Sequence, residues 1–231
     1  MATARESRAD LRLLSEDAAG SATELLSRLR GAPEARRLAL LDTVPGLVDY
    51  YTNGSAALAA DFYEEERELA GSRKAFKPEL IIDDRTVQVR TAIAWSVAPL
   101  FDAGDDDATA AAETLAASRL AGVVQLETAR PYRSTITGNR KRDPEAVGWR
   151  RITAGGCRLC RMLADRGAVY KESTARFATH ANCKCSAQPV FVGNDTGEEA
   201  SVIQYVASRK NRTPAQRAQL REYLSEFYGP G

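Results

Sequence analysis

The sequence has a single histidine, few aromatic residues and no long hydrophobic run. Among 231 residues, aromatic side chains make up 7%, and the longest purely apolar runs, such as residues 56–60, span only five positions. A membrane-spanning helix needs roughly 20 apolar residues, so a transmembrane protein is not expected. The first residues include Glu6 and Asp10 and have no apolar centre, which is unlike a secretory signal. With 44% hydrophobic residues, the composition instead predicts a globular protein.

The motifs of the common enzyme classes are also missing. No Walker A loop, G-x-G-x-x-G or G-x-S-x-G occurs, and the zinc deaminase signature, in which the histidine precedes C-x-x-C, is absent. One histidine, His180, does not suffice for a two-histidine metalloprotease, and a Ser/His/Asp triad would have to use this same residue. The expectation is therefore a protein that is not an enzyme.

Charge is distributed unevenly along the chain. Residues 1–129 hold 14 basic and 22 acidic side chains, whereas residues 130–190 hold 13 basic and 4 acidic ones. The basic stretch favours contacts with nucleic-acid phosphates, without reading of base sequence. A solvated surface, neutralised by the acidic helices or by thiolates, is the competing interpretation. The candidate DNA-facing residues are Arg140, Lys141, Arg142, Arg150 and Arg151.

The N-terminal half has the periodicity of amphipathic helices. Apolar residues recur there at three- and four-residue steps, and Asp105, Asp106 and Asp107 mark the start of a further, alanine-rich helix. The three apolar stripes run over residues 11–29, 47–69 (after Pro45) and 89–100. Residues 1–130 are therefore predicted to form a helical docking region, whose first two stripes are expected to be available to a partner.

The sequence pattern changes in the rest of the chain, from residue 131 onwards. Pro131, Gly138 and Pro144 predict a loop that carries the basic residues 140–142. Strands are predicted at 149–153, 168–170, 176–178 and 188–192, with a short helix at 158–164. Residues 131–192 would thus form a small α+β module, and 193–231 a linker and a terminal helix capped by Thr213. The predicted fold class is α+β, mostly helical.

All four cysteines and the histidine lie within 29 residues. They form the pattern C-x2-C-x19-H-x2-C-x-C, in which two groups of closely spaced residues are separated by a longer segment. Tetrahedral zinc sites use ligands in this way, so the sequence predicts a structural zinc ion. Disulfides and merely reduced thiols are the alternatives. The five candidates for the four ligand positions are Cys157, Cys160, His180, Cys183 and Cys185, and one of His180, Cys183 and Cys185 would not bind the metal directly.

Three segments of the same region resemble a known protein family. They are D-P-E-A-V-G-W at 143–149, G-C-R-L-C-R-M-L-A-D-R-G-A-V-Y at 156–170 and F-A-T-H-A-N-C-K-C at 177–185. The chain resembles the Mu protein F-like minor head (head morphogenesis) proteins of tailed bacteriophages, in the form found in actinobacteriophages. Ala181 stands where that family's H-P-x-C-x-C segment has proline, which removes no candidate ligand.

The resemblance implies a virion protein. Such proteins lie inside the head in several copies, contact the portal protein and other capsid proteins, and take part in head assembly and genome packaging or delivery after assembly in the host cytoplasm. The expected function is thus that of a minor capsid protein whose basic module faces packaged DNA. A zinc-dependent nucleic-acid-binding regulatory protein is the alternative, and a thiol oxidoreductase a third.

Overall fold

The computed structural model describes residues 3–102, 106–153, 158–165, 183, 185–192 and 213–229. The helices are α1 (Ala4–Arg28), α2 (Pro33–Leu69), α3 (Thr86–Ser96), α4 (Asp106–Arg142), α5 (Arg158–Asp165) and α6 (Pro214–Tyr228). The strands are β1 (Ala146–Ile152) and β2 (Ser186–Phe191), and a short 3₁₀ turn spans Ala98–Phe101. The mostly helical α+β fold class predicted from the sequence is confirmed.

The chain divides into two compact units. The helical unit comprises Ala9–Asp61 and Glu79–Thr135, and the mixed unit comprises Met1–Arg8, Phe62–Pro78 and Ile136–Gly231. Within the described ranges, both strands belong to the mixed unit.

Four helices and the segment that follows α3, with its 3₁₀ turn, supply the core of the helical unit. Its buried residues recur at helical spacing, so each helix turns one apolar face inward. They are Ala18, Ala22 and Leu26; Leu40, Val44, Val48 and Tyr51; Val89, Ile93, Val97 and Leu100; and Ala116, Leu120 and Val124. The first two stripes are thus largely used inside the protein, and the expectation that they are available to a partner is wrong. Burying each large side chain contributes about 1.5–3 kcal/mol, which favours the closed core over an exposed stripe.

Helix α2 begins at Pro33 and continues through Pro45, so the expectation of a helix starting after Pro45 is wrong. A proline inside a helix leaves the carbonyl four residues earlier without its usual amide donor. Here that carbonyl belongs to Leu41, and the guanidinium of Arg90 donates to it at 2.7 Å. A side chain of α3 therefore replaces the missing backbone donor.

Helix α4 likewise continues past Pro131 to Arg142, where the sequence predicted a basic loop. The residues beyond the proline include Tyr132, Ile136 and Asn139, which follow a helical spacing and are fully buried. This burial offsets the loss of one helical hydrogen bond. The residues 140–142 consequently form the last turn of a helix, where basic side chains interact favourably with the helix dipole.

The two strands of the mixed unit pair antiparallel. Trp149 lies opposite Pro189 and Arg150 opposite Gln188, with an irregularity between Ala146 and Gly148. The predicted strands at 149–153 and 188–192 and the helix at 158–164 are confirmed to within a few residues. The predicted strands at 168–170 and 176–178 lie outside the described residues.

The last helix begins as the sequence predicts. The Thr213 hydroxyl accepts from the Gln216 amide, and the Gln216 side chain accepts from the Thr213 amide, with Pro214 at the first position. Gly229, with φ of 58°, ends the helix in a conformation that favours glycine. Leu220, Tyr223 and Leu224 pack towards α5, as does Tyr228, while Phe227 is exposed.

Candidate metal centre

Three cysteines come together in the mixed unit. Cys160 is the third residue of α5, and Cys185 directly precedes β2, with Cys183 two positions earlier. Cys183 and Cys185 both come close to Cys160 of the helix. All three side chains are buried and form a cluster of their own.

The geometry of the three sulfur atoms suits a metal ion. The Sγ atoms all lie within 4.8 Å of one another. Thiolates bound to zinc at about 2.3 Å in tetrahedral geometry lie about 3.8 Å apart, so a small adjustment would complete such a site. None of the three described cysteines forms a disulfide. Three buried soft donors at this separation can therefore hold a metal ion.

The surroundings of the cysteines contain polar groups. Arg151 of β1 is 3% exposed, and its Nη1 donates to Cys183 Sγ at 3.9 Å. Ser186, which follows Cys185, is also buried, and its hydroxyl has no hydrogen-bond partner among the residues that the structure describes. Contacts with the thiols of Cys183 and Cys185, together with burial, raise the pKa of Cys160 above its ordinary range when no metal is bound. A coordinated metal ion reverses this preference, because it binds thiolates.

Helix α6 supports the helix that carries Cys160. Met162 and Leu163 of α5 form an apolar cluster with Leu220 of α6. The guanidinium of Arg161 also donates to the carbonyl of Tyr228 at 2.5 Å. One part of α5 thus contributes to the cysteine cluster while another is held by the terminal helix.

Two of the five predicted ligands, Cys157 and His180, lie outside the described residues. The structure brings together the other three, Cys160, Cys183 and Cys185. Sequence reasoning did not find the contribution of Ser186 to this environment, since a serine beside a cysteine carries no signal of its own. The sequence did single out Arg151, but as a DNA-facing residue and not as a neighbour of the cysteines.

The five predicted DNA-facing residues have different surroundings. Arg140 donates to the Val147 carbonyl at 3.1 Å, while Arg142 donates to Asn139 Oδ1 at 3.1 Å and lies over a phenylalanine ring. Lys141 is exposed, and Arg150 of β1 is partly exposed. Arg151 differs from these four, because its buried guanidinium is not presented to an external phosphate.

The D-P-E segment at 143–149 has a structural role in the mixed unit. Arg67 of α2 donates through Nε to Asp143 Oδ2 at 3.2 Å and lies 3.3 Å from Glu145 Oε2. Tyr63 also donates to Asp143, at 3.3 Å. Glu145 accepts from the backbone amide of Lys74 at 2.9 Å, which lowers the pKa of its carboxyl group. Sequence reasoning missed Arg67, since it precedes its partners by more than seventy residues and follows no motif.

A second polar chain joins the sheet to α2 within the mixed unit. Arg150 Nε donates to Gln188 Oε1 at 2.8 Å, and Gln188 Nε2 donates to Glu66 Oε1 at 2.9 Å. Burial raises the pKa of Glu66, and the hydrogen bond from Gln188 only partly opposes this effect. The arrangement fixes β1, β2 and α2 together by polar contacts.

Comparison with known proteins gives one match. The model of the VG15 protein family matches residues 1–210 of the 231. The chain belongs to the VG15 family. This is a family of viral (phage) proteins, so the prediction of a phage protein is confirmed at that level. No curated protein and no solved structure matches the chain.

The described part of this VG15 protein contains no helix of the length and apolar character that a bilayer crossing requires. The identity of this chain as a minor head protein stays a prediction.

Proposed function

We propose that this VG15 protein is a minor capsid protein of a tailed bacteriophage, associated with the portal vertex inside the head. Its role is structural, in head assembly and in genome packaging or delivery, and it catalyses no reaction. The observation that carries the proposal is the match of residues 1–210 to a phage family. The resemblance of the segments at 143–149, 156–170 and 177–185 to minor head proteins supports the finer assignment.

A zinc ion bound by the cysteines would hold the mixed unit together in the particle. The three described thiols join α5 to the segment preceding β2, which are otherwise separate in the chain. Their soft sulfur donors suit zinc, with a fourth ligand from Cys157 or His180. Binding energy at such sites is folding energy, about 10–16 kcal/mol in small zinc domains, which gives a reason for a structural ion in a small sheet.

The basic residues of the mixed unit would face the packaged DNA. Arg140, Lys141, Arg142 and Arg150 remain candidates, whereas Arg151 is left out because it is buried. Dense DNA favours cations on the surface that it meets and repels carboxylates. The acidic helical unit would correspondingly face the portal protein and other capsid proteins.

Partner contacts of the helical unit would use its exposed apolar side chains. These side chains take the role expected for the first two apolar stripes, which are largely buried in the core of the helical unit. The large ones include Leu13, Leu38, Tyr50, Leu80, Ile82, Val87, Trp95, Phe101 and Leu115.

Fractionation of phage particles tests the proposed location. Particles of the phage that encodes the chain are purified on a density gradient, and the protein is quantified in particles and in the cleared lysate by mass spectrometry. We expect the protein in the particles in several copies, and density for it beside the portal in a reconstruction. Its presence only in the lysate would contradict the proposal and favour the regulatory alternative.

Metal analysis tests the zinc ion separately. We expect about one equivalent of zinc in the purified protein and much less in Cys160→Ser, since a serine hydroxyl is a poor replacement for a thiolate. Ala164→Ser, on the same helix, is the matched control and should retain the metal. A wild-type protein purified without zinc, and unable to bind it when it is added, would exclude a zinc-stabilised module.

Charge reversal tests the DNA-facing surface. Replacing residues 140–142 with glutamate should weaken binding of the protein to a random DNA duplex and lower the salt dependence of that binding by about 0.9 for each lost phosphate contact. The control reverses three exposed arginines of the helical unit, Arg12, Arg28 and Arg30, with the same change in net charge. Equal effects of the two triple variants would mean that only net charge matters.

A further inference from the structure

Arg151 occupies an unusual place for an arginine. It lies in β1 opposite Ala187 of β2, it is 3% exposed, and its Nη1 donates to Cys183 Sγ at 3.9 Å. Arginine is almost never fully buried without a compensating group, and its charge is permanent at any physiological pH. The cysteine cluster is therefore beside a fixed positive charge.

The benefit of that charge depends on the state of the sulfur atoms. A neutral thiol is a weak hydrogen-bond acceptor and gives little compensation to a buried guanidinium. A thiolate bound to a metal ion keeps partial negative charge and accepts charge-assisted hydrogen bonds, which are about twice as strong as neutral ones. The contact is thus worth more when the cysteines hold a metal than when they do not.

The overall charge of a thiolate site leads to the same conclusion. Three thiolates around a divalent cation carry one net negative charge, and Cys160, Cys183 and Cys185 are all buried. An uncompensated charge inside a protein is costly, whereas a nearby opposite charge offsets much of that cost. The buried hydroxyl of Ser186, which has no partner within the described ranges, is a further donor next to Cys185.

We propose that Arg151 is the buried counter-charge of the metal-thiolate centre, which raises the affinity of the site for zinc without binding the metal itself. This inference rests on the zinc ion of the proposed function. It assigns Arg151 to the outer sphere of the metal centre and removes it from the DNA-binding surface. It also predicts that the neighbouring arginines of the module do not share this role.

Zinc affinity of the full chain tests the inference. Zinc dissociation constants are measured by competition with a chromophoric chelator for wild type, Arg151→Met, Arg151→Lys and Arg142→Met. Loss of an outer-sphere partner typically weakens metal binding 10–100-fold, so we expect a loss of about that size in Arg151→Met. Arg151→Lys retains the charge and should recover part of the affinity. Arg142→Met removes an exposed arginine at the end of α4, in the same unit, and should bind zinc like wild type.

A thermodynamic cycle separates this effect from general damage to the fold. Urea unfolding of wild type and Arg151→Met is compared with zinc present and with zinc removed by a chelator. The destabilisation caused by the substitution should be larger with zinc, since the counter-charge acts on the metal-bound form. The difference between the two conditions should match the change in zinc affinity.

The possible outcomes distinguish this inference from the proposed function. If wild type binds no zinc, both the structural zinc ion and the role of Arg151 are refuted. If wild type binds zinc and Arg151→Met binds it equally well, only the role of Arg151 is refuted. Equal losses in Arg151→Met and Arg151→Lys, or equal destabilisation with and without zinc, would show that Arg151 acts through packing and would likewise overturn the inference.

Discussion

Replacing Arg67 with methionine should destabilise the mixed unit by about 3–5 kcal/mol, because the substitution leaves a buried carboxylate without its counter-charge. The side chains of Arg67 and Asp143 are 7% and 0% exposed, and Nε lies 3.2 Å from Oδ2. Methionine preserves most of the side-chain length, so the loss of charge dominates over the loss of volume. Tyr63 and the amide of Glu145 also donate to Asp143, but both donors are neutral and compensate only in part.

A double-mutant cycle isolates the pair. Asp143→Asn should also destabilise, and Arg67→Met with Asp143→Asn should cost less than the sum of the two single changes, with a coupling of about 1–3 kcal/mol. The control pair is Arg28 and Glu24 on α1, whose side chains are 74% and 60% exposed. An exposed pair at this spacing contributes about 0.3–0.5 kcal/mol, so its coupling should be several-fold smaller.

Tryptophan fluorescence gives a reading specific to the mixed unit. Trp149 is buried there, and the other tryptophan, Trp95, belongs to the helical unit. Urea unfolding at neutral pH is therefore followed with Trp149 as the probe, in a Trp95→Phe background, for the buried pair. For the exposed control pair, which lies in the helical unit, it is followed with Trp95 as the probe, in a Trp149→Phe background. A cost below about 1 kcal/mol for Arg67→Met, or a coupling no larger than that of the exposed pair, would refute the reasoning that burial makes this ion pair important.

Three further substitutions have directions fixed by the structure, each checked by urea unfolding. The pKa of Glu127 is lowered because hydrogen bonds from two arginines outweigh its burial, so Glu127→Gln should destabilise at neutral pH and lose its effect in acid below that pKa. The pKa of Glu66 is raised by burial, so Glu66→Gln should stabilise at neutral pH, and this gain should vanish below the ordinary glutamate range. Thr213→Ala should cost about 1 kcal/mol through loss of the capping hydrogen bond of α6, and no cost would contradict the cap.

Local features of the protein were predictable from the sequence. The spacing of Val89, Ile93 and Val97 identified a buried helix face, and the start at Thr213 identified a capped terminal helix. The clustering of four cysteines within 29 residues identified the candidate metal centre. Each of these signals depends on periodicity, capping or ligand spacing, which act between residues close in the chain.

Other features depended on residues far apart in the chain, and only the tertiary structure decided them. The sequence predicted breaks at Pro45 and Pro131, but Arg90 supplies a donor to the carbonyl that Pro45 leaves unbonded, and burial of Tyr132 offsets the second proline. The first two apolar stripes are largely core because other helices cover them. Arg151 has the charge of a DNA-binding residue, yet the pairing of β1 with β2 buries it beside a cysteine. Charge and hydrophobicity belong to the residue, whereas burial and partners are set by contacts over long separations, and these determine what the residue does.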